Sequence, residues 1–357
     1  MHSSILVTGG AGFVGSSLAL ALRRQFPAAR IVALDNLHRL GSELNIPRLA
    51  AAGIRFVHGD IRSPGDLENI PEQFDLIVEC SAEPSAQAGY GGSPEYLIQT
   101  NLVGCFHCLE LARRTGADFI FLSTSRVYPM EKLKALSLRE DESRFVLTDE
   151  QPFRGASRFG IAEDFPLDGP RSLYGMTKLA SELMVTEYAA AYGLRCVINR
   201  CGVIAGPWQM GKTDQGIVTF WMAAHYFRRE LNYIGFGGQG KQVRDLLHVA
   251  DLASLIVEQV SNIDKYAGKL FNAGGGLTGS LSLREITALC QRITGNTVAI
   301  GSLPENRPAD VPIFITDHRR LTEFSGWQPS RTPEDILGDV HQWIRENEAL
   351  LRIRLLA

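Results

Sequence analysis

Apolar and polar positions along the first 200 residues follow two alternating rhythms. Short runs that are almost wholly apolar, "SILVTG" (4–9), "RIVALD" (30–35), "RFVHGD" (55–60), "DLIVEC" (75–80) and "DFIFLS" (118–123), predict strands, and "LRCVINR" (194–200) continues the series. Between them, "GFVGSSLALALRRQF" (12–26) and "YLIQTNLVGCFHCLELARR" (96–114) repeat their apolar residues every three or four positions and predict helices. Strands without a polar face must be covered on both sides, and intervening helices supply the cover. The expected fold class is therefore α/β, a doubly wound parallel sheet.

Two segments break the rhythm. Residues 129–172 are charged and contain glycine and proline, and they are too long for an ordinary connection. They are expected to form an irregular functional excursion over the surface. From about residue 201, glycine-rich stretches such as "GFGGQGKQVRD" and "NAGGGLTGS" alternate with short strand-like and helix-like runs, ending in a helix near 333–350. The expected organisation is a sheet domain over 1–200 carrying the insertion 129–172. Residues 201–357 mainly form a smaller C-terminal α/β lobe, with some segments returning to the first domain.

Composition narrows the class. The chain has 357 residues, 45 % hydrophobic and 21 % charged, as in a soluble globular protein of one large or two ordinary domains. A net charge of −3 offers no basic surface for nucleic acid or for an anionic membrane. No apolar run approaches the roughly 18 residues of a membrane span. "MHSSILVTGG" enters a strand-like run at once, leaving no room for a signal peptide, so a cytoplasmic location is expected. Six scattered cysteines fit reduced thiols in that compartment. Cys105 and Cys108 form a C-x-x-C, but inside a helical pattern and without a second ligand pair, so packing is expected and no metal.

Gly9, Gly12 and Gly15 form G-x-x-G-x-x-G between a predicted strand and a predicted helix. Such glycines allow a tight turn, close backbone approach to a pyrophosphate, and helix–strand packing, while the helix N-terminus presents free N–H groups to phosphate. Asp35 closes the second strand about 20 residues on, where an acid hydrogen-bonds the adenosine ribose and disfavours a 2′-phosphate. The cofactor expected is NAD, although His38 and Arg39 beside the acid weaken the preference over NADP. Asp60 and Ile61, after the third strand, fit an adenine contact. A rival phosphate motif, "GPWQMGKT" (206–213), matches G-x-x-x-x-G-K-[ST], yet Pro207 and Trp208 suit a phosphate-wrapping backbone poorly.

Tyr174 and Lys178 stand four apart in a helical run, hence on one face. A tyrosine of pKa about 10 is a poor base at neutral pH. A nearby ammonium favours its phenolate. Thr124, at a strand end in "LSTS", adds a hydroxyl donor. Together the three suit oxidation of an alcohol: Tyr174 takes the proton, Thr124 orients the oxygen, and the hydride goes to nicotinamide.

On these residues the chain resembles the extended short-chain dehydrogenase/reductase family, the NAD-dependent nucleotide-sugar epimerases and dehydratases, over nearly its whole length. "RDLLHVADL" (244–252) and "GWQP" (326–329) add to the likeness. The resemblance implies a Rossmann domain with a C-terminal nucleotide-sugar lobe. It implies a cofactor set of Gly9, Gly12, Phe13, Val14, Gly15, Asp35, Asn36, Asp60, Ile61, Ala82, Asn101, Tyr174 and Lys178. It also implies a homodimer or homotetramer built on the helix of Tyr174 and its "NLVGCFHCLEL" neighbour.

Family dehydratases carry an Asp-Glu pair directly after the threonine. Here Ser125 and Arg126 stand there, which points to oxidation and re-reduction without loss of water. "TDQG" (213–216), "GKQVRDLLH" (240–248), "DNLHRLGSELN" (35–45) and "SRF" (143–145) look like the branch of CDP-paratose 2-epimerases, also called CDP-tyvelose epimerases. That likeness implies inversion at C2 of a CDP-sugar. The expected substrate contacts are Glu83, Ser125, Arg126, Gln215, Lys241, Gln242, Arg244 and Arg307, with the two last arginines on the diphosphate. His248 is expected to be structural. "CSAEPS" (80–85) and the long insertion depart from the branch pattern and leave the hexose open. A UDP-sugar 4-epimerase, a nucleotide-sugar reductase and a non-catalytic dinucleotide sensor remain alternatives at this point.

Overall fold

The computed structural model describes residues 2–211 and 215–354. The chain divides into two compact units, each with its own apolar core. The first comprises Met1–Val127, Leu173–Arg200 and Leu252–Phe271; the second comprises Tyr128–Ser172, Cys201–Asp251 and Asn272–Ala357.

The first unit is built on strands β1 (Ser4–Thr8), β2 (Arg30–Asp35), β3 (Arg55–His58), β4 (Leu76–Glu79) and β5 (Asp118–Thr124). With strands Cys196–Cys201 and Lys269–Ala273 they form a seven-stranded sheet in which β4 and β2 flank β1, β5 lies beyond β4, and β3 lies beyond β2. The pairings among β1–β5 are all parallel. Strand order reverses between β1 and β4, which opens a crevice at their carboxyl ends where ligands of such sheets bind. Every residue of β1, β4 and β5 is buried, as their uninterrupted apolar text requires.

The expected helix at 96–114 is not a single α-helix. Glu95–Ile98 and Gly104–Thr115 are α-helical, and Gln99–Val103 between them forms one π-type turn, closed by the Gly104 N–H on the Gln99 carbonyl. Cys105 and Cys108 lie in the core of this unit, where burial pushes both thiols up.

In the second unit, helices Ile217–Tyr226, Leu283–Thr294 and Pro333–Glu346 pack around a core that includes Trp221, Ile286, Cys290, Ile336, Val340 and Trp343. Ser282 with Glu285, and Thr332 with Asp335, start the latter two helices with reciprocal capping boxes. The segment 129–172 is more ordered than its polar text suggests. It holds a helix at Met130–Lys134 and a strand pair, Leu138–Glu140 with Phe145–Leu147. It is bound into the second unit: Ser143 donates to Glu285 at 2.9 Å, and Arg144 donates to the Ser280 hydroxyl at 2.6 Å. No helix among the described residues is long and apolar enough to cross a membrane.

Candidate active site

The glycine turn lies between β1 and helix α1 (Phe13–Gln25). Gly9 has φ +60, and a Cβ there would meet the Cys80 carbonyl at 2.9 Å. At Gly15 a Cβ would fall 2.1 Å from the Gly9 oxygen, so the helix can lie against the turn only without one. Gly12 is the roomier position, with a Cβ 3.1 Å from the Gly9 oxygen and 4.0 Å from the Asp35 carboxylate. Asp35 accepts hydrogen bonds from the Ala11 and Gly12 N–H groups, each 3.1 Å, and from Leu37 at 2.8 Å. Burial pushes its carboxyl up against the pull of those donors. The first N–H groups of α1, at Phe13 and Val14, have no partner within the helix. A bare backbone cradle, a helix N-terminus and an acid at the end of β2 fit a dinucleotide's pyrophosphate and ribose.

The far side of this cradle is a charged and aromatic cluster. Asn36 donates to Asp60 at 2.9 Å, and Arg62 grips the same carboxylate, at 2.7 Å for its shortest contact. Asp60 is held down to about 2; burial opposes this, and the bonds from Arg62 and Asn36 prevail. Arg62 also lies over the Tyr96 ring at 4.7 Å, and the His38 ring lies 4.3 Å from it, tilted by 30°. Ile61 is buried in the core, where its side chain touches Gly104 rather than standing free.

Tyr174 and Lys178 lie on the helix Leu173–Tyr192, which packs against β5 and the turn after it. Tyr174 is half-buried and Lys178 is buried. The Lys178 ammonium sits 4.1 Å from the Phe121 ring centroid and 3.7 Å from the Glu79 carboxylate. Burial acts to lower Lys178, but the fields of Glu79 and Tyr174 outweigh it and hold the lysine up. The Thr124 hydroxyl accepts the Arg126 N–H at 3.2 Å, which leaves its own proton free to be given.

The three hydroxyls that end β5 therefore separate. Ser123 points into the core and donates to Glu182 at 2.5 Å, and Arg200 grips the same carboxylate at 2.7 Å. Thr124 is the oriented hydroxyl, and Ser125 and Arg126 are half-buried in the following turn.

Asn101, expected against the cofactor, has its amide engaged by the chain itself. Its Oδ1 accepts the Glu83 N–H at 2.8 Å, and its Nδ2 donates to the Glu83 carbonyl at 3.1 Å and to Thr177 at 3.3 Å. It sits in the π-type turn and ties the loop after β4, with Ala82 and Glu83, to the Tyr174 helix. The Glu83 carboxylate in turn accepts the Ser85 N–H at 3.1 Å.

The remaining expected substrate residues belong to the second unit. Arg244 pairs with Asp310 at 2.6 Å and donates to the Val311 carbonyl at 2.8 Å. Arg307 opens the turn that carries Asp310, so these two arginines do belong to one local cluster. Lys241 pairs with Glu140 of the insertion at 2.8 Å. Gln242 donates to the Ile234 carbonyl at 2.9 Å, while its Oε1, like that of Gln215, is buried with no hydrogen-bond partner among the described residues. Lys212, Thr213 and Asp214, which the 206–213 and 213–216 motifs need, lie outside the described residues.

The "RDLLHVADL" and "GWQP" stretches meet in a structural lock. Asp251 accepts from Ser330 at 2.7 Å and from Arg331 at 2.6 Å, and Trp327 donates to the Asp251 carbonyl at 3.2 Å. His248, expected to be structural, is bound within its own unit. Its Nδ1 accepts the Ala250 N–H at 3.0 Å, so its Nε2 carries the proton, 3.3 Å from Asp339.

Sequence reasoning passed over Glu79, the acid beside Lys178. Its signal was a charged residue closing an otherwise apolar buried strand, a placement that demands a partner. Thr177 and Ser181, which bind Asn101, carried no signal beyond helical spacing.

The glycine turn and the acid at the end of β2 fit a dinucleotide, and the Tyr174–Lys178 helix packs beside β5. Residues 5–274 match the NAD dependent epimerase/dehydratase family, and the chain belongs to that family of enzymes, with NAD as its cofactor. The chain is 30 % identical over 346 residues to the CDP-paratose 2-epimerase of Salmonella typhi, spanning 95 % of this chain and 98 % of the relative. It is 27 % identical over 350 residues to the dTDP-glucose 4,6-dehydratase of Mycobacterium tuberculosis, spanning 98 % and 95 %. The solved UDP-glucuronic acid 4-epimerase from Bacillus cereus, in complex with UDP-glucuronic acid and NAD, shares the fold with TM-score 0.78 at 22 % identity, over 96 % of this chain and 99 % of that one.

Proposed function

We propose that the chain epimerises a nucleotide-linked sugar, a CDP-sugar at C2, by removing and returning one hydride. The observation that carries this is the end of β5. Thr124 is an oriented hydroxyl, and Ser125 and Arg126 follow it where an eliminating enzyme would need carboxyl groups. The 30 % identity to a CDP-paratose 2-epimerase over nearly the full length supports the sugar and the position.

NAD, when bound, would supply a reversible acceptor for the carbinol hydride. The chain's residues do the rest. Gly9, Gly12, Gly15 and the start of α1 hold the pyrophosphate, and Asp35 holds the ribose. Tyr174 takes the hydroxyl proton and later returns it, Lys178 favours the phenolate, and Thr124 donates to the sugar oxygen. Arg244, Arg307, Lys241, Gln242 and Gln215 are the proposed grip on the nucleotide diphosphate, with Glu83, Ser125 and Arg126 toward the sugar.

We also propose a homodimer. Leu183 and Tyr192 on the Tyr174 helix are 63 % and 55 % exposed, and Phe106 on the adjacent helix Gly104–Thr115 is exposed as well. Sedimentation of the purified chain checks this.

The deciding experiment incubates purified protein, without added cofactor, with CDP-paratose, CDP-glucose, UDP-glucose and UDP-glucuronate, following C2 and C4 by proton NMR. Inversion at C2 of a CDP-sugar supports the proposal. Inversion at C4 of a UDP-sugar keeps the chemistry and removes the substrate assignment. Turnover that requires added NADH or NADPH makes the chain a reductase instead.

A further inference from the structure

Glu79 is the last residue of β4, at the point where strand order reverses, paired across the sheet to Thr8 on β1 and Phe121 on β5. It is 1 % exposed; burial pushes its carboxyl up, opposed by the Lys178 charge, the Ser81 N–H and the Thr8 hydroxyl. Its countercharge is the Lys178 ammonium at 3.7 Å, itself buried over the Phe121 ring. Either ion alone would be costly to bury, and removing one leaves the other uncompensated.

We propose that Glu79 is a positioning residue that holds the Lys178 ammonium charged and on the Phe121 face, one helical turn from Tyr174. This inference rests on the catalytic reading of Tyr174 and Lys178. With a neutral residue at 79, burial would favour the neutral amine, and the field that stabilises the Tyr174 phenolate would vanish. The other titratable groups facing the lysine do not substitute for Glu79. These are Tyr174 on its own helix, Cys105 on the helix Gly104–Thr115, and Cys80 after β4. Cys108 faces Glu79 from that same neighbouring helix. Burial keeps Cys105 and Cys108 as neutral thiols, and Tyr174 is the group being served.

The test is Glu79→Gln in the NAD-loaded protein. Ultraviolet difference spectra against the same background carrying Tyr174→Phe isolate the ionisation of Tyr174. The expected result is a midpoint at least about one pH unit higher in the Gln variant, the size of effect one neighbouring charge exerts. Turnover at neutral pH should fall about tenfold through kcat, with KM little changed. A midpoint that stays put or moves down overturns the proposal. If the Gln variant does not fold, Glu79→Asp keeps the charge and draws it back by one methylene; a smaller rise is expected, and an unmoved midpoint overturns the idea. If wild-type Tyr174 ionises no lower than free tyrosine, about pH 10, the catalytic reading itself fails. A low wild-type midpoint with an unmoved variant removes only the role of Glu79.

Discussion

The two units handle charge differently. In the first, the ion pairs around the Tyr174 helix are dry: Glu79 with Lys178 at 1 % and 3 % side-chain exposure, and Glu182 with Arg200 at 4 % each. In the second, the pairs near the proposed nucleotide grip are more open: Arg244 with Asp310 at 17 % and 19 % side-chain exposure, and Lys241 with Glu140 at 11 % and 56 %. A buried pair is fixed, because neither ion can find another partner without crossing an apolar interior. A wet pair is weak and exchangeable, so its arginine or lysine can trade a carboxylate for a phosphate. Proton transfer needs the first kind of charge, and reversible binding needs the second.

The largest expected effect bears on the chemistry alone. Tyr174→Phe should lower turnover by about 10²–10⁴-fold, the usual worth of a positioned acid–base group, while the melting temperature and bound NAD stay unchanged. Steady-state rates and a thermal scan check both halves. Next comes the fixed pair: Glu182→Ala strands Arg200 and Ser123 in the core and should cost about 3–5 kcal/mol in urea unfolding. By contrast, Glu140→Gln in the wet pair with Lys241 should cost less than about 1 kcal/mol. If the two losses prove equal, the distinction between fixed and exchangeable charge is wrong.

The smallest effect concerns pH. His225, His248, His318 and His341, all in the second unit, are lowered from 6.5 chiefly by burial. Below that pH the unfolded chain binds protons that the folded chain refuses, so their contribution to stability falls as pH drops through 6.5 toward the folded values. Each histidine contributes at most about 1.4 kcal/mol per pH unit. His248→Asn, which keeps an acceptor for the Ala250 N–H, should therefore flatten the slope of urea stability between about pH 7 and 5.5. An unchanged slope would show that His248 takes up its proton without unfolding.

Legibility in the sequence followed the range of the interaction. The strands of the first unit, the glycine turn, Asp35 and the Tyr174–Lys178 spacing were readable because each rests on local periodicity or on a backbone need that only glycine meets. Glu79 was not, since its meaning depends on a lysine 99 positions later in the chain. The order within 129–172 was hidden for the same reason: Ser143 and Arg144 find their partners at 280 and 285. The family stretches "RDLLHVADL" and "GWQP" were legible as text but not as roles. The structure shows Asp251, Trp327 and Arg331 holding one another, while Arg244 of the same text is paired to Asp310.

The π-type turn at Gln99–Val103 stores one residue more than an α turn needs. Removing one residue of 99–103 would let the helix close regularly and leave Cys105, Cys108 and Leu109 on the core face. The loss would fall on Asn101, which the wide turn sets beside Glu83 and Thr177. Homologous chains that are one residue shorter here should therefore lack the Asn101 tie while keeping the same core.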